Sequence, residues 1–180
     1  LENELKVSKE GLELKSNQLE KLNSKLEERV LEKTEELNNL STQLTNYINT
    51  IQSILVILDN KGIITLINPA GAHLLEYETP DELIGKNWFE TCLPQPEGYN
   101  SVYPYFLQIM SGEMAGVEYH ENNILTKNNE QLNIAWHNAV LTNESEEITG
   151  ILSSGMDITQ QKRIEKDLLE AKNEADLANR

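Results

Sequence analysis

Two residues of the stretch QLNIAWHNAVL, Trp136 and Asn138, have side chains well suited to binding a small ligand. The stretch is predicted to be a β-strand, and residues two apart in a strand point to the same face. Trp136 would then offer a flat stacking surface, and Asn138 an amide that donates and accepts hydrogen bonds. Trp88 is a candidate for the same cavity. The alternative is that both tryptophans are core residues and that backbone groups satisfy Asn138.

Catalytic and metal-binding chemistry has less support in the sequence. It contains one cysteine, Cys92, and three histidines, His73, His120 and His137. We find no nucleophile with a neighbouring base, no phosphate-binding loop and no cluster with metal-ligand spacing. His120 and His137 are expected to face solvent, because each follows an aromatic residue that would take the inward position on its strand. The sequence therefore predicts that this chain is not an enzyme and holds no metal.

The large apolar side chains that a folded core requires are confined to the middle of the chain. All ten aromatic residues lie between Tyr47 and Trp136, and residues 48–157 carry 3 basic against 15 acidic side chains. Such a charge repels nucleic acids and anionic membranes. We therefore expect one compact domain in the middle, no nucleic-acid partner and no membrane contact within this fragment.

The sequence has no apolar run near the roughly 18 residues of a membrane span and no visible signal peptide. A single cysteine fits a cytoplasmic location. Because the first residue is Leu1 rather than Met, we expect a piece of a longer protein, whose full-length form could be anchored to a membrane.

Apolar residues in alternating steps of four and three run along the first 50 residues, a pattern typical of a coiled coil. The steps from Leu22 to Leu26 and from Leu26 to Val30 are both four, a stutter that locally unwinds a supercoil. We predict a coiled-coil helix over residues 1–49 that forms a parallel homodimer. A single exposed helix is the alternative. A shorter pattern of the same kind predicts a coiled-coil linker over residues 159–180.

Residues 50–158 have the pattern of one α+β domain. Asn68 and Thr79 each precede a proline and are predicted N-caps, with Glu82 closing a capping box on Thr79. Further short helices are expected over the stretch NWFETCL and over about 101–110. The predicted strands lie at about 54–58, 63–67, 115–125, 131–142 and 147–156. This order predicts a five-stranded antiparallel sheet with short helices on one face.

With these elements, the middle segment resembles the PAS domain. The stretch DNKGIITLINPAGAHLLEY is similar to the opening of that family, ELIGKNWFETCLP to its central helices, and GILSSGMDIT to its closing strand with an Asp-Ile-Thr signature. The flanking helices resemble those around PAS domains in sensor histidine kinases, including hybrid ones. The resemblance implies a PAS fold and a covalently attached kinase domain downstream of Arg180.

The resemblance also implies a cavity between sheet and helices, which in this family holds a flavin, a haem, a small metabolite or nothing. FAD or a small metabolite is compatible with the two tryptophans and Asn138. A photoactive flavin adduct is disfavoured, because Trp88 stands where light-sensing members have a reactive cysteine, and Cys92 lies four residues further on. Haem is disfavoured, because residues 99–114 contain no histidine that could act as axial ligand.

The stretch GMDITQQ leaves almost no residues between the last predicted strand and the final helix. A short junction would transmit a movement of the sheet that a flexible loop would absorb, so Asp157 and Thr159 are predicted signal-relay residues. We expect the Asp157 carboxylate to pair with Lys127, or else to cap the final helix together with Gln160.

Together these features predict the sensory and signal-relay module of a two-component sensor histidine kinase. A conformational signal would pass between the two helices in a parallel homodimer. Two alternatives remain, a ligand-free dimerisation spacer and the PAS sensor of a cyclic-dinucleotide synthase.

Overall fold

The computed structural model describes residues 2–113 and 118–178, with side chains for 11–96, 98–113 and 118–175. The chain forms two compact units, Leu1–Tyr47 and Ile48–Arg180. A single 3₁₀ turn covers Pro80–Glu82. The helices and strands are α1 (Glu2–Thr50), β1 (Ile54–Asp59), β2 (Ile64–Ile67), α2 (Pro69–Leu74), α3 (Trp88–Thr91), α4 (Glu97–Met110), β3 (Tyr119–Leu125), β4 (Gln131–Thr142), β5 (Ile148–Asp157) and α5 (Thr159–Ala178).

The first unit is formed by helix α1, whose large apolar side chains from Leu12 to Leu44 are exposed. From Leu12 to Leu44, the large apolar residues of this helix expose between 51% and 67% of their surface. The steps of four and three place a subset of them on one face of the helix. Among the described residues, no helix combines the length and apolar character needed to cross a bilayer.

The second unit is built on one antiparallel sheet with the strand order β2-β1-β5-β4-β3. The first and last strands are therefore central neighbours, and Ile54 of β1 lies opposite Gly155 of β5. Helices α2, α3 and α4 pack against this sheet. The predicted α+β architecture, a five-stranded antiparallel sheet with short helices, is confirmed.

The core lies between the sheet and the helices. Its strand residues alternate with exposed ones, as the period of a half-buried strand requires. In β4 the predicted inward face is confirmed, with Leu132, Ile134 and Trp136 buried and Val140 packed against them. Phe89 of α3 and Phe106 of α4 cover this face, with ring centroids 4.9 Å apart.

The local signals differ in how well they predicted the structure. Asn68 caps α2 as expected, and its Oδ1 accepts from the Gly71 N–H at 2.9 Å. The capping box of Thr79 is formed only in part. Thr79 makes no side-chain cap bond, whereas the Glu82 carboxylate interacts with the Thr79 N–H and its Oε1 accepts from the Glu78 N–H. A single 3₁₀ turn is too short for the reciprocal bonds of an α-helical box.

Two boundaries also differ from the prediction. Helix α4 begins at Glu97 rather than near Ser101, and β3 begins at Tyr119. Residues 115–117 of the predicted third strand lie outside the described residues.

Both predicted hairpin turns are present, with Asn129 at φ 63° in the first and Glu146 at φ 63° in the second. In the second turn, Asn143 contributes through its side chain, which accepts from the Ser145 and Glu147 N–H groups.

Candidate functional site

The inward faces of β1, β3, β4 and β5 border a small, partly open cavity against helices α3 and α4. Its volume is about 50 Å³. Most lining residues are apolar, and the polar side chains among them are those of Tyr105, His120, Asn122, Asn138 and Ser153. The lining contains no Asp, Glu, Lys or Arg among the described residues. The cavity is thus apolar, with a few hydrogen-bonding groups.

Trp88 and Trp136 both line this cavity, and they contact each other. Their ring centroids lie 5.6 Å apart with the planes perpendicular, an edge-to-face arrangement. Gly155 lies opposite Trp136 in the next strand, and a Cβ atom there would stand 2.5 Å from Trp136 Cζ3. The absence of a side chain at residue 155 therefore lets the indole lie across β5.

Asn138 also borders the cavity, but its side chain has a side-chain partner. The Ser153 hydroxyl donates to Asn138 Oδ1 at 2.7 Å, and the two residues are cross-strand neighbours in β4 and β5. Ser153 was not singled out from the sequence. The alternating pattern of β5 would have placed it inward, but a serine carries no distinctive signal.

The expectation that His120 faces solvent is wrong. His120 lies opposite Trp136 in the β3–β4 pair, and its ring contacts that of Tyr105 on α4 with centroids 4.3 Å apart. Burial lowers the pKa of its imidazole below the ordinary 6.5, so the neutral form predominates at pH 7. His137 is exposed on the other face of the sheet, where it contacts Tyr119.

FAD does not fit this cavity in the conformation described. Pockets for cofactors and drug-sized ligands have volumes of about 300–1,000 Å³, whereas about 50 Å³ accommodates a few water molecules or a very small ligand. Cys92 is buried outside the cavity lining, and burial raises the pKa of its thiol to about 12. The described residues contain no group of three or more potential metal ligands among His, Cys, Asp and Glu.

The segment that enters the domain is held by Asn68, which is 1% exposed. Its Nδ2 group donates to the carbonyls of Ile51 and Ser53 at 3.0 and 2.9 Å. Its Oδ1 accepts from the N–H of Leu55 at 3.0 Å as well as from that of Gly71. One buried amide thus fixes the residues after α1 to the start of both β1 and α2. The sequence identified Asn68 as a helix cap and missed this second role.

The segment that leaves the domain is held by Asp157 and Thr159. The N–H and hydroxyl groups of Thr159 donate to Asp157 Oδ1 at 2.8 and 2.5 Å. The Asn133 N–H in turn donates to Thr159 Oγ1 at 2.8 Å, and the Ile158 N–H donates to the Asn133 carbonyl at 2.9 Å. The first turn of α5 is therefore hydrogen-bonded to strand β4.

The predicted pair between Asp157 and Lys127 is wrong. Lys127 Nζ lies 2.7 Å from Glu82 Oε2 and 5.2 Å from the centre of the Tyr77 ring. The β3–β4 turn packs toward α2, and the Lys127 N–H donates to the Leu75 carbonyl. Asp157 lies opposite Ile134 of β4, and its carboxylate accepts from Thr159 rather than from a residue of that turn. The alternative expectation of an Asp157 cap is closer, with Thr159 as the hydrogen-bond donor.

A second contact between the sheet and α5 joins Lys162 to Glu121 of β3. Lys162 Nζ lies 2.8 Å from Glu121 Oε2, and the Tyr119 hydroxyl donates to Glu121 Oε1 at 2.6 Å. The hydrogen bond from Lys162 lowers the pKa of the Glu121 carboxyl, and the hydrogen bond to Glu121 raises that of the Tyr119 phenol. Sequence reasoning missed these residues, because nothing local relates positions so far apart in the chain.

A five-stranded antiparallel sheet that borders a small cavity with its helices, and continues directly into a helix, defines the α+β class of this domain. The family model of the PAS domain matches residues 52–160. The chain belongs to the PAS domain family.

Similar solved structures show the same fold. A PAS domain from Colwellia psychrerythraea has 18% identity and a TM-score of 0.56, and the match covers 67% of this chain and 98% of that one. A domain of a sensory box sensor histidine kinase/response regulator from Geobacter sulfurreducens has 19% identity and a TM-score of 0.51, with coverage of 67% and 96%. A PAS domain of an HTR-like protein from Haloarcula marismortui has 18% identity and a TM-score of 0.51, with coverage of 70% and 98%. No curated protein gives a significant match.

Proposed function

We propose that this chain is the sensory and signal-relay module of a two-component sensor histidine kinase and works as a parallel homodimer. A change in the PAS cavity, or in the helix that precedes it, alters the position of α5 and so the activity of a kinase domain attached downstream. The chain itself carries no catalytic step. The similar fold of the solved domain from a sensory box sensor histidine kinase/response regulator of Geobacter sulfurreducens supports this context.

The observation that carries the proposal is the direct attachment of α5 to the sheet. Hydrogen bonds join Thr159 to Asp157 and to the Asn133 N–H, and Lys162 pairs with Glu121. Strand β3 bears Glu121 on one face and the cavity residues His120 and Asn122 on the other. A shift of β3 caused from within the cavity therefore acts on the strand that holds α5.

The relay is tested by replacing Thr159 in the full-length protein. Thr159→Val removes the acceptor for Asn133 and the hydroxyl donor to Asp157, while Thr159→Ser keeps both. We expect the valine variant to change the rate of autophosphorylation about fivefold or more, as interface changes of about 1 kcal/mol do, and the serine variant to behave as the parent. Equal rates in all three proteins would refute the relay through this junction.

The homodimer is supported by the exposed apolar face of α1. Leu22, Leu26 and Val30 of the predicted seam expose 56%, 52% and 63% of their surface, and a helix of this kind is marginal alone in water. A second copy of the same helix offers the complementary face. We expect Leu26→Glu to convert the dimer to monomer in sedimentation experiments. Leu31→Glu, one residue off the seam, should leave it dimeric, and equal behaviour of the two variants would contradict the seam.

The ligand supported by the cavity is a small uncharged molecule rather than FAD. A charged ligand would lose its hydration against a lining that offers no Asp, Glu, Lys or Arg. A panel of small neutral metabolites should contain one that raises the thermal midpoint of the protein by mass action. An absorption spectrum of the purified protein provides the check on flavin or haem.

A ligand-free dimerisation spacer is the second candidate. The small volume of the cavity and the direct contact of Trp88 with Trp136 favour it, since both are what a filled core would show. If the chain is a spacer, no compound should stabilise the protein. The Leu26→Glu variant should still dissociate from dimer to monomer. The sequence beyond Arg180 distinguishes a kinase from a cyclic-dinucleotide synthase, because a kinase has a helix with a phosphoacceptor histidine.

A further inference from the structure

A second, larger hollow lies on the outer side of the cavity. It is a groove of about 600 Å³ between α4 and β3, with polar side chains that include Ser101, Asn123 and Gln131. Four residues border both the groove and the inner cavity, namely Val102, Tyr105, His120 and Asn122. The two spaces are therefore separated by one layer of side chains.

Two residues of that layer, Tyr105 and His120, are in ring contact. Their ring centroids lie 4.3 Å apart and their planes are inclined by 37°. Tyr105 is 38% exposed, so its ring can turn outward into the groove without displacing core residues. Pro104 precedes Tyr105 inside α4 and lacks the N–H that an α-helix uses at this position, which loosens the helix next to the ring.

We propose that the Tyr105–His120 ring pair is a gate through which a small uncharged molecule passes between the outer groove and the inner cavity. This proposal rests on the cavity as the sensing site. When the side chains of Tyr105 and His120 rotate, the groove and the cavity join while the hydrogen bonds of the sheet stay intact. Exchange of a ligand then needs no unfolding of the domain, because an exposed side chain such as that of Tyr105 changes rotamer within nanoseconds.

The same fold provides an internal comparison for the gate. Tyr119 and His137 form a tyrosine–histidine pair in contact on the outer face of the sheet, with centroids 5.1 Å apart. Both of these residues are exposed, and neither borders the cavity or the groove among the described residues. Substitutions in this outer pair therefore control for the loss of a ring from a tyrosine–histidine contact.

Intrinsic fluorescence gives a direct measurement of access, because the sequence contains two tryptophans and both line the cavity. Acrylamide, a small neutral quencher, reaches them when the gate opens. We expect His120→Ala and Tyr105→Ala to increase the bimolecular quenching constant about threefold or more. Loss of either ring lowers the free energy needed to open the gate, so the gate is open more often. Tyr105→Phe, which keeps the ring, and His137→Ala should quench as the parent protein does.

Folding is checked by far-UV circular dichroism and the thermal midpoint of each variant. If His120→Ala and Tyr105→Ala fold and quench like the parent, the gate is refuted. If both fail to fold, the ring pair is a structural contact and the gate is equally refuted. If quenching is faster in these variants but no neutral metabolite stabilises the protein, the gate is supported and the sensing role of the cavity is refuted. The two proposals can therefore fail separately.

Discussion

The two junctions of the PAS domain are built in different ways. At the N-terminal junction, one buried amide, that of Asn68, makes four hydrogen bonds to backbone groups. At the C-terminal junction, the contacts are divided between a part-buried cluster around Thr159 and the exposed pair of Lys162 with Glu121. The first junction depends on a single side chain, and the second on several separable ones.

This difference separates a fixed end from an adjustable one. The four hydrogen bonds of Asn68 share one side chain and are lost together, so the N-terminal junction has one stable arrangement. Exposed ion pairs contribute little free energy and exchange readily with water. We infer that the incoming segment is held in place, whereas α5 can change its contacts with the sheet at low cost.

Replacement of Asn68 by alanine should destabilise the protein most. It removes the partner of the Gly71 N–H group, whose hydrogen bond is buried, and of the Leu55 N–H group and the Ile51 and Ser53 carbonyls, whose hydrogen bonds are part-buried. Together these losses cost about 3 kcal/mol. Urea unfolding measures the change. The exposed Asn100 serves as the control, and Asn100→Ala should alter stability by less than about 0.5 kcal/mol. Similar losses for the two variants would remove the contrast between the junctions.

Replacement of Gly155 by alanine should disturb the point where the two junctions meet. The new Cβ atom would approach Trp136 Cζ3 to 2.5 Å and Ile134 Cγ2 to 2.8 Å, an overpacking that costs about 2 kcal/mol. The tryptophan emission should shift as the Trp88–Trp136 contact changes. Gly85→Ala is not a suitable control, because Gly85 has a φ of 83°. Gly11→Ala in α1 is suitable, since nothing lies within 4 Å of its Cβ position, and it should leave the emission unchanged.

Replacement of Thr159 by valine should loosen the C-terminal junction alone. The Asn133 N–H loses its acceptor, a part-buried hydrogen bond worth about 1 kcal/mol. Hydrogen exchange should accelerate at the amides of Asn133 and Thr159 while those near Asn68 keep their protection. Thr159→Ser restores the hydroxyl and should restore the slow exchange. Faster exchange at both junctions would show that they are coupled rather than separate.

Replacement of Glu121 by glutamine should have the smallest effect on stability and a visible one on α5. Both partners of the Lys162–Glu121 pair are substantially exposed, so the unfolding midpoint should not change measurably. Spin labels on α5 and β4 should nevertheless report a broader distance distribution. Because Lys162 lowers the pKa of Glu121, the pair is complete above the ordinary value of 4.5 and is lost as the pH falls through the lowered pKa. Broadening of the parent distribution at that acidic pH, but not in Glu121→Gln, would assign the effect to Glu121.

The elements of the fold were predictable wherever a local signal and the strand period agreed. Asn68 before Pro69 marked a helix start, and the alternating residues of β4 marked the inward face that carries Trp136. The prediction for β3 failed at His120. The aromatic Tyr119 was assumed to point inward, yet its hydroxyl pairs with Glu121 on the outer face and its ring is 49% exposed. A tyrosine has a polar end, so its aromatic character alone does not determine the side of a strand.

The contacts of the junctions were harder to predict because they join distant parts of the chain. Hairpin proximity suggested Lys127 as the partner of Asp157, but the turn folds toward α2 and brings Lys127 to Glu82. The pair of Lys162 with Glu121 depends on where α5 leaves the sheet, which the strand order determines. Spacing in the sequence specifies neighbours along one element, whereas pairing between elements follows from the tertiary fold.

The central position of β1 and β5 also bears on how such a domain spreads among proteins. Ile54 and Gly155 face each other across adjacent antiparallel strands, a separation of about 5 Å between Cα atoms. The segment of more than a hundred residues that joins them therefore begins and ends at nearly the same place. A coding segment with these ends can be inserted into another gene, duplicated in tandem or deleted, and the flanking residues of the host need move very little.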